Sequence, residues 1–206
     1  DTVAIEFETP RGFDAEPGQF VRLSATVDGE TYRRFYTLSS PDVAGTFEVT
    51  VGVAPDEAGP FSRRLADLAP DDELDLAGPF GDSYYDGEAR AVVLAGGPGV
   101  GPAVAIAERA LDDGNEAAVV YVPAHDEPSH VDRLDAIRER GAPVHVVPQG
   151  DPIGAVVADA LGNGDGDGDS APAVFVYGFS PFVDAARGAL EAAGFDPADA
   201  KVEDFG

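Results

Sequence analysis

The chain contains no cysteine. Disulfides, thiolate zinc sites, cysteine nucleophiles and cysteine-ligated iron–sulfur clusters are therefore excluded within its 206 residues. Lysine is almost absent too: Lys201 stands alone, and the other twelve cations are arginine. Against 13 basic residues stand 39 acidic ones, 25 of them Asp, for a net charge of −26. Binders of nucleic acid or anionic membrane need the opposite sign, so neither partner is expected. No apolar run approaches the roughly 18 residues of a spanning helix. No basic-then-apolar leader opens the chain. The expectation is a cytoplasmic protein without membrane insertion.

What is present is enough apolar residue, 44%, for a packed core. The acids are spread along the whole chain rather than gathered in a tail. Such self-repulsion is tolerable in molar salt, where screening acts within about 3 Å. In lysine depletion and dispersed Asp the chain resembles haloarchaeal proteins, which implies a halophilic one.

Two halves are legible, with the boundary near Asp86-Gly87-Glu88: a domain over 1–88 and another over 89–206. The first half predicts short strands over 2–9, 19–27, 31–39, 46–53 and 73–77, rich in Val, Thr, Phe and Tyr. Pro17-Gly18, Asp28-Gly29, Ser40-Pro41-Asp42, Pro70-Asp71-Asp72 and Gly78-Pro79 punctuate them. That spacing suggests an antiparallel barrel or sandwich. One helix, about 60–68, starts on Pro60. In the second half, strands over 91–95, 117–122, 143–148, 173–177 and 200–205 alternate with helices over 101–113, 130–140, 153–161 and 180–194. Strict alternation predicts a doubly wound, five-stranded parallel sheet with helices on both faces. The segment 162–172 places Asp165, Asp167 and Asp169 at alternate positions, but a calcium loop would need Gly at 170 and Glu at 176. Ser170 and Val176 stand there, so a solvated loop is expected and no metal site.

Three loops carry candidate chemistry. The strand 91–95 runs into Gly96-Gly97-Pro98-Gly99-Val100-Gly101-Pro102. Glycines at a strand-to-helix turn let backbone approach a phosphate, and the helix N-terminus favours the anion. The turn lacks the Gly-Lys-Ser/Thr of a P-loop, and Pro102 replaces the third glycine of G-x-G-x-x-G. Tyr177-Gly178-Phe179-Ser180 follows the fourth strand, and Glu203, Asp204 and Phe205 end the fifth. A strand order of 3-2-1-4-5 would bring all three loops to one edge, where such sheets bind ligands. In the first half, Arg33-Arg34-Phe35-Tyr36-Thr37 combines cation, ring and hydroxyl, suiting a flat anionic ligand. Gly59-Pro60-Phe61-Ser62 opens the lone helix with free N–H groups, and Arg63 and Arg64 follow as a second pair of cations.

Together these motifs resemble the ferredoxin–NADP reductase family. Arg34-Phe35-Tyr36-Thr37 is similar to its R-x-Y-[S/T] flavin motif and Pro17-Gly18-Gln19-Phe20 to its P-G-Q-F strand. Gly78-Pro79-Phe80-Gly81 resembles its G-P-x-G, Gly59 with Ser62 its G-x-x-S, and Gly96 to Pro102 its G-G-x-G-[I/V]-x-P loop. The order is the family's and spans nearly the whole chain. The resemblance implies an N-terminal Greek-key β-barrel for FAD and a C-terminal domain for NADH or NADPH. It implies that Arg34 and amides near Ser62 hold the FAD pyrophosphate, with Gly59, Pro60 and Phe61 beside them. Tyr36 would stack on the isoalloxazine, Thr37 would bond near N5, and Val51-Gly52-Val53 would run along the ring. Gly97, Pro98, Gly99, Val100, Tyr177, Gly178, Phe179 and Ser180 would face the nicotinamide nucleotide. Glu203 and Phe205 would sit at the reacting centre, Phe205 covering the far flavin face. Hydride would pass between nicotinamide and flavin N5.

Three departures stand out. Tyr177 replaces the family cysteine. The chain starts at what the family uses as its second half-hairpin, so a first strand is expected to be missing. No Arg or Lys follows the second parallel strand, where Pro123-Ala124-His125-Asp126-Glu127 stands, which points to NADH over NADPH. The expected function is an FAD-dependent NAD(P)H oxidoreductase feeding a separate acceptor, with ferredoxin as a candidate. The alternatives are an NADH-dependent flavin or ferric reductase and a non-catalytic flavin-binding electron-transfer subunit. Oligomeric state stays open.

Overall fold

The structure is a computed structural model and describes residues 2–52, 59–162 and 171–206. Residues 163–170, with the acidic loop, and Val53 lie outside the described residues.

The first half forms two antiparallel sheets. Strand β1 (Thr2–Glu8) pairs with β4 (Thr46–Gly52), and β2 (Phe20–Val27) lies between β3 (Glu30–Thr37) and β5 (Asp75–Phe80). A bridge between Leu38 and Val49 joins them. Alternation sets the faces: Val21 and Leu23 are buried while Arg22 between them is not. Asp28 and Gly29 both take positive φ (51° and 83°), the primed two-residue turn whose twist matches the β2–β3 hairpin. Helix α1 (Pro60–Ala66) closes the core with Phe61 and Leu65 against Val21, Leu38, Phe47 and Val49. It ends two residues before the predicted limit. Strand β5 runs on to Phe80, past the Gly78-Pro79 pair that reads as a stop: β2 follows it across a register shift, from Arg22 opposite Ala77 to Phe20 opposite Phe80.

The second half is a five-stranded sheet, β6 (Arg90–Gly96), β7 (Glu116–Val122), β8 (Val144–Val146), β9 (Ala173–Gly178) and β10 (Lys201–Asp204). All pairs are parallel and the spatial order is β10-β9-β6-β7-β8, which meets the 3-2-1-4-5 condition counted within this half. Helices α2 (Val100–Asp112) and α3 (Val131–Glu139) cover one face. Helices α4 (Gly154–Leu161) and α5 (Ser180–Ala192) cover the other. Buried on both faces, β6 and β9 read as unbroken apolar runs rather than as alternation. The edge strand β8 is only three residues long, half the predicted span, because it pairs on one side alone. A 3₁₀ turn, Gly97–Gly99, precedes α2 where the sequence shows only a loop. No described helix is long and apolar enough to cross a membrane.

Candidate functional site

A cavity of about 720 Å³ opens where the loops of the parallel sheet meet the antiparallel half. The β half contributes Phe35, Tyr36 and Thr37 from β3, Val51 and Gly52 from β4, and Ser62 from α1. The α/β half contributes Pro98, Phe179, Glu203 and Phe205. The three loops that a 3-2-1-4-5 order brings together do meet there, with Ala124 and His125 after β7 as a fourth segment, and they face β1 to β4 and α1 of the other half.

Tyr36 is half-buried, with its ring 6.4 Å from that of Phe61 and inclined by 30°. Tyr32 stacks on the same Phe61 ring at 6.5 Å. Burial pushes the Tyr36 phenol up to about 12, so it stays neutral, while the Arg34 charge pulls the other way. Glu203 sits on β10, opposite Tyr177 in register, and burial raises its carboxyl above the usual range. Phe205 continues the β10–β9 ladder through its N–H to the Gly178 carbonyl at 3.0 Å. Its ring meets Phe179 edge-on at 5.8 Å.

Other predicted residues lie elsewhere. Phe61 is buried in the barrel core and supports Tyr36 from beneath instead of facing the cavity. Gly59 and Pro60 begin α1 outside the lining. Arg34 is exposed on β3, its guanidinium donating to the Arg33 carbonyl at 2.8 Å. Arg64, from the second pair of cations, pairs with Asp72 at 2.9 Å. Ser180 turns its hydroxyl to the Asp204 carboxylate at 2.9 Å. Tyr177 departs most from expectation: its ring is wholly buried in the α2 face of the sheet and its hydroxyl donates to the Ser83 carbonyl. Its carbonyl and its Cβ, not its ring, border the glycine turn. A Cβ on Gly99 would overlap the Tyr177 carbonyl oxygen, so glycine is needed there for packing as well as for any ligand. Gly97, Val100 and Gly178 do not line the cavity either.

Some lining residues carry no sequence signal. Unlike Phe20, Pro102, Ala124, His125 and Asp204, which come from stretches named above, Thr2 is one of them. So is Thr50, whose hydroxyl lies 2.7 Å from Ser39 Oγ and 2.8 Å from His130 Nε2. This chain ties β4 to the start of α3, and it leaves no room for a Cβ at Gly101. Arg133 reinforces the seam, donating to Glu48 at 2.9 Å, Glu108 at 2.6 Å and the Ser39 carbonyl at 2.7 Å. Burial, then the Arg133 charge, lowers the His130 pKa to about 4. The folded state thus takes up its proton less readily than the unfolded chain, whose histidine titrates near 6.5. Stability from this group is complete above about pH 6.5 and is lost as pH falls toward 4, by about 3 kcal/mol. Chemical denaturation at pH 7 and pH 4.5 should show a fall in stability that is smaller in His130→Gln. Equal falls in both proteins would remove His130 from the account.

Among the described residues no group of three or more His, Asp or Glu side chains is placed to hold a metal.

Residues 1–85 match the family model described as the oxidoreductase FAD-binding domain. A probable dihydroorotate dehydrogenase B (NAD(+)) electron transfer subunit from Methanopyrus kandleri is 35% identical over 133 residues, 65% of this chain and 46% of that one. The glycine betaine monooxygenase reductase subunit of Chromohalobacter salexigens is 30% identical over 100% of this chain and 60% of its own length. The chain therefore spans less than two thirds of each of these relatives. A ferredoxin–NADP+ reductase variant from Plasmodium falciparum, solved with 2'P-AMP, superposes with a TM-score of 0.78 at 14% identity, covering 99% of this chain and 89% of that one. With an FAD-binding domain model matched over residues 1–85 and the two-domain architecture shared throughout, the chain has the fold of the ferredoxin–NADP+ reductases.

Proposed function

We propose that the chain moves electrons between NAD(P)H and a separate acceptor through bound FAD, with residues 1–88 holding the flavin and 89–206 the nicotinamide nucleotide. The observation that carries this reading is the shared cavity, lined from both halves. The site fits such a group. Its volume lies within the roughly 300–1,000 Å³ of cofactor sites. Aromatic rings of Phe35, Tyr36 and Phe205 line it, and a Cβ on Gly52 would project into open space there. When bound, FAD exchanges an electron pair with the nicotinamide and passes electrons onward.

The chain's own residues orient and shield. Tyr36 offers a neutral ring for stacking, held by Phe61. Thr37 presents a hydroxyl from the end of β3. Arg34 and the amides near Ser62 supply positive potential for the pyrophosphate. Gly97 to Val100 and the 178–180 corner shape the nucleotide side, the corner offering Phe179. Glu203, with its raised pKa, can keep a proton beside the ring without placing a full charge there. Phe205 keeps water from the exposed face. The acceptor belongs to the same proposal: relatives named as reductase and electron-transfer subunits support a protein partner of ferredoxin type over free flavin or ferric ion. So does a site with two candidate anion contacts, which suits retained FAD. The acidic composition supports a cytoplasmic, high-salt setting.

The test is direct. Purified protein should show a flavin spectrum, release FAD and not FMN alone by mass spectrometry, and reduce a dye with NADH. A colourless protein that oxidises no nicotinamide would sink the reading, and flavin without dye reduction would favour the non-catalytic subunit.

NADH is the expected donor. Beyond β7 the exposed residues are Ala124, His125, Asp126 and Glu127, and a 2′-phosphate brings about two negative charges. The arginines that could answer it from α2 and α3 are engaged: Arg109 with Asp113 at 3.1 Å, and Arg133 with Glu48 and Glu108. At the lowest salt that keeps the fold, kcat/KM for NADH should exceed that for NADPH by about tenfold. The reverse order overturns the preference.

A further inference from the structure

The segment joining the two halves, residues 81–89, is fastened on several sides. Tyr85 N–H donates to the Pro17 carbonyl at 3.0 Å, and its hydroxyl accepts from Asn115 at 2.7 Å. Ser83 Oγ donates to the Val202 carbonyl at 3.3 Å, and Lys201 Nζ to the Tyr84 carbonyl at 2.7 Å. Lys201 also pairs with Glu88. At the centre is Tyr177, whose hydroxyl donates to the Ser83 carbonyl. Burial first, then the charges of Glu203 and Glu88, hold that phenol far above its usual pKa, so it remains a donor.

Tyr177 touches three things at once. Its ring fills the sheet face covered by α2. Its hydroxyl meets the joining segment and the Pro17-Gly18 turn of the β half. Gly18 has φ of +103°, and a Cβ there would overlap the Tyr177 hydroxyl and come within 2.8 Å of the Ser83 carbonyl. Its own carbonyl is packed against Gly99 of the glycine turn. One residue further on, the chain turns at Gly178 toward Phe179, which lines the cavity.

We propose that Tyr177 is a positioning residue: its hydroxyl bolts the joining segment to β9 and to Gly18, and so sets where the Gly97–Gly99 turn and the Gly178–Phe179 corner stand relative to the flavin half. The residue that replaces the family cysteine has left the nicotinamide pocket and taken up the relation between the two halves. The inference rests on the proposed electron-transfer function only for its kinetic consequence; the bolt itself is a statement about structure.

The test uses the flavin-loaded protein, with Tyr177→Phe, which keeps the ring, and Gly18→Ala, which crowds the hydroxyl from the other side. Amides of residues 82–88 and 97–101 should exchange with deuterium about tenfold faster in both variants. FAD content should stay at the parent level. The rate of NADH-driven dye reduction per bound flavin should fall about tenfold, together with the long-wavelength absorbance of the nicotinamide–flavin contact, because misplacement acts on the reacting geometry. A merely structural loss would lower thermal stability and flavin content and leave turnover per bound flavin unchanged. Unchanged exchange in both variants overturns the bolt; faster exchange with unchanged turnover per flavin overturns the positioning role. If the parent protein neither holds flavin nor oxidises NADH, the functional reading fails, and the exchange data alone decide the bolt.

Discussion

Arg34→Ala is expected to fold normally and to purify with little flavin, its FAD affinity lowered by about 10- to 100-fold. The side chain is exposed on β3 and its guanidinium meets only a neighbouring carbonyl, so truncation removes no core packing. Across the strand pair it faces Leu23, whose burial does not depend on the charge. What truncation does remove is a cation next to Tyr36, on a strand whose last residues line the cavity. A charge-assisted contact to pyrophosphate contributes about 1.5–3 kcal/mol, hence the size of the effect. Arg64→Ala is the control. It loses a half-exposed pair with Asp72, and flavin should stay bound. The flavin-to-protein ratio, read by absorbance and by mass spectrometry of released cofactor, decides. Full occupancy in Arg34→Ala would move the anion contact elsewhere.

The second large effect concerns salt. Eight of the 13 cations approach a carboxylate within 4.0 Å among the described residues: Arg64, Arg90, Arg109, Arg133, Arg138, Arg140, Arg187 and Lys201. With 39 acids in the chain, most carboxylates have no such partner available. Their mutual repulsion acts over about 30 Å in 0.01 M salt and over about 3 Å at 1 M. Raising KCl from dilute buffer to molar should therefore lift the thermal midpoint by roughly 10 °C or more, the equivalent of several kcal/mol for a domain of this size. A midpoint that stays flat or falls would remove the halophilic reading, and with it the explanation for so few lysines.

The α/β half was open to sequence reading because its physics is local and repetitive. Runs such as 91–95 and 173–177 are apolar on both faces, and each is followed by a helix-period stretch. Right-handed crossovers fit that alternation, and 3-2-1-4-5 is one of the doubly wound orders they allow, so the order itself needed the structure. The β half was readable as turns: Asp28-Gly29 has the residue types its two positive φ values require. In the cavity, Tyr36, Thr37, Gly52, Phe179 and Phe205 could be picked out because they sit in motifs. Thr50 and His130 could not. Nothing in Thr-Val-Gly or Ser-His-Val distinguishes a hydrogen-bonded seam from a surface, since the partner lies 80 residues away. Tyr177 was misplaced for a related reason. A motif position says where the backbone goes, but a large side chain can rotate into any space that its neighbours leave, and Gly18 leaves that space on the far side.

The lone lysine has a practical consequence. Its ammonium is paired with Glu88 and lies 5.0 Å from the Phe175 ring centre and 5.8 Å from that of Tyr84, about a third exposed. It is thus the only ε-amine available to an acylating reagent, and it sits at the junction of the two halves. A dye coupled there would mark the junction at one known side chain. Its coupling rate would also report how often Lys201 leaves Glu88 and the Tyr84 carbonyl.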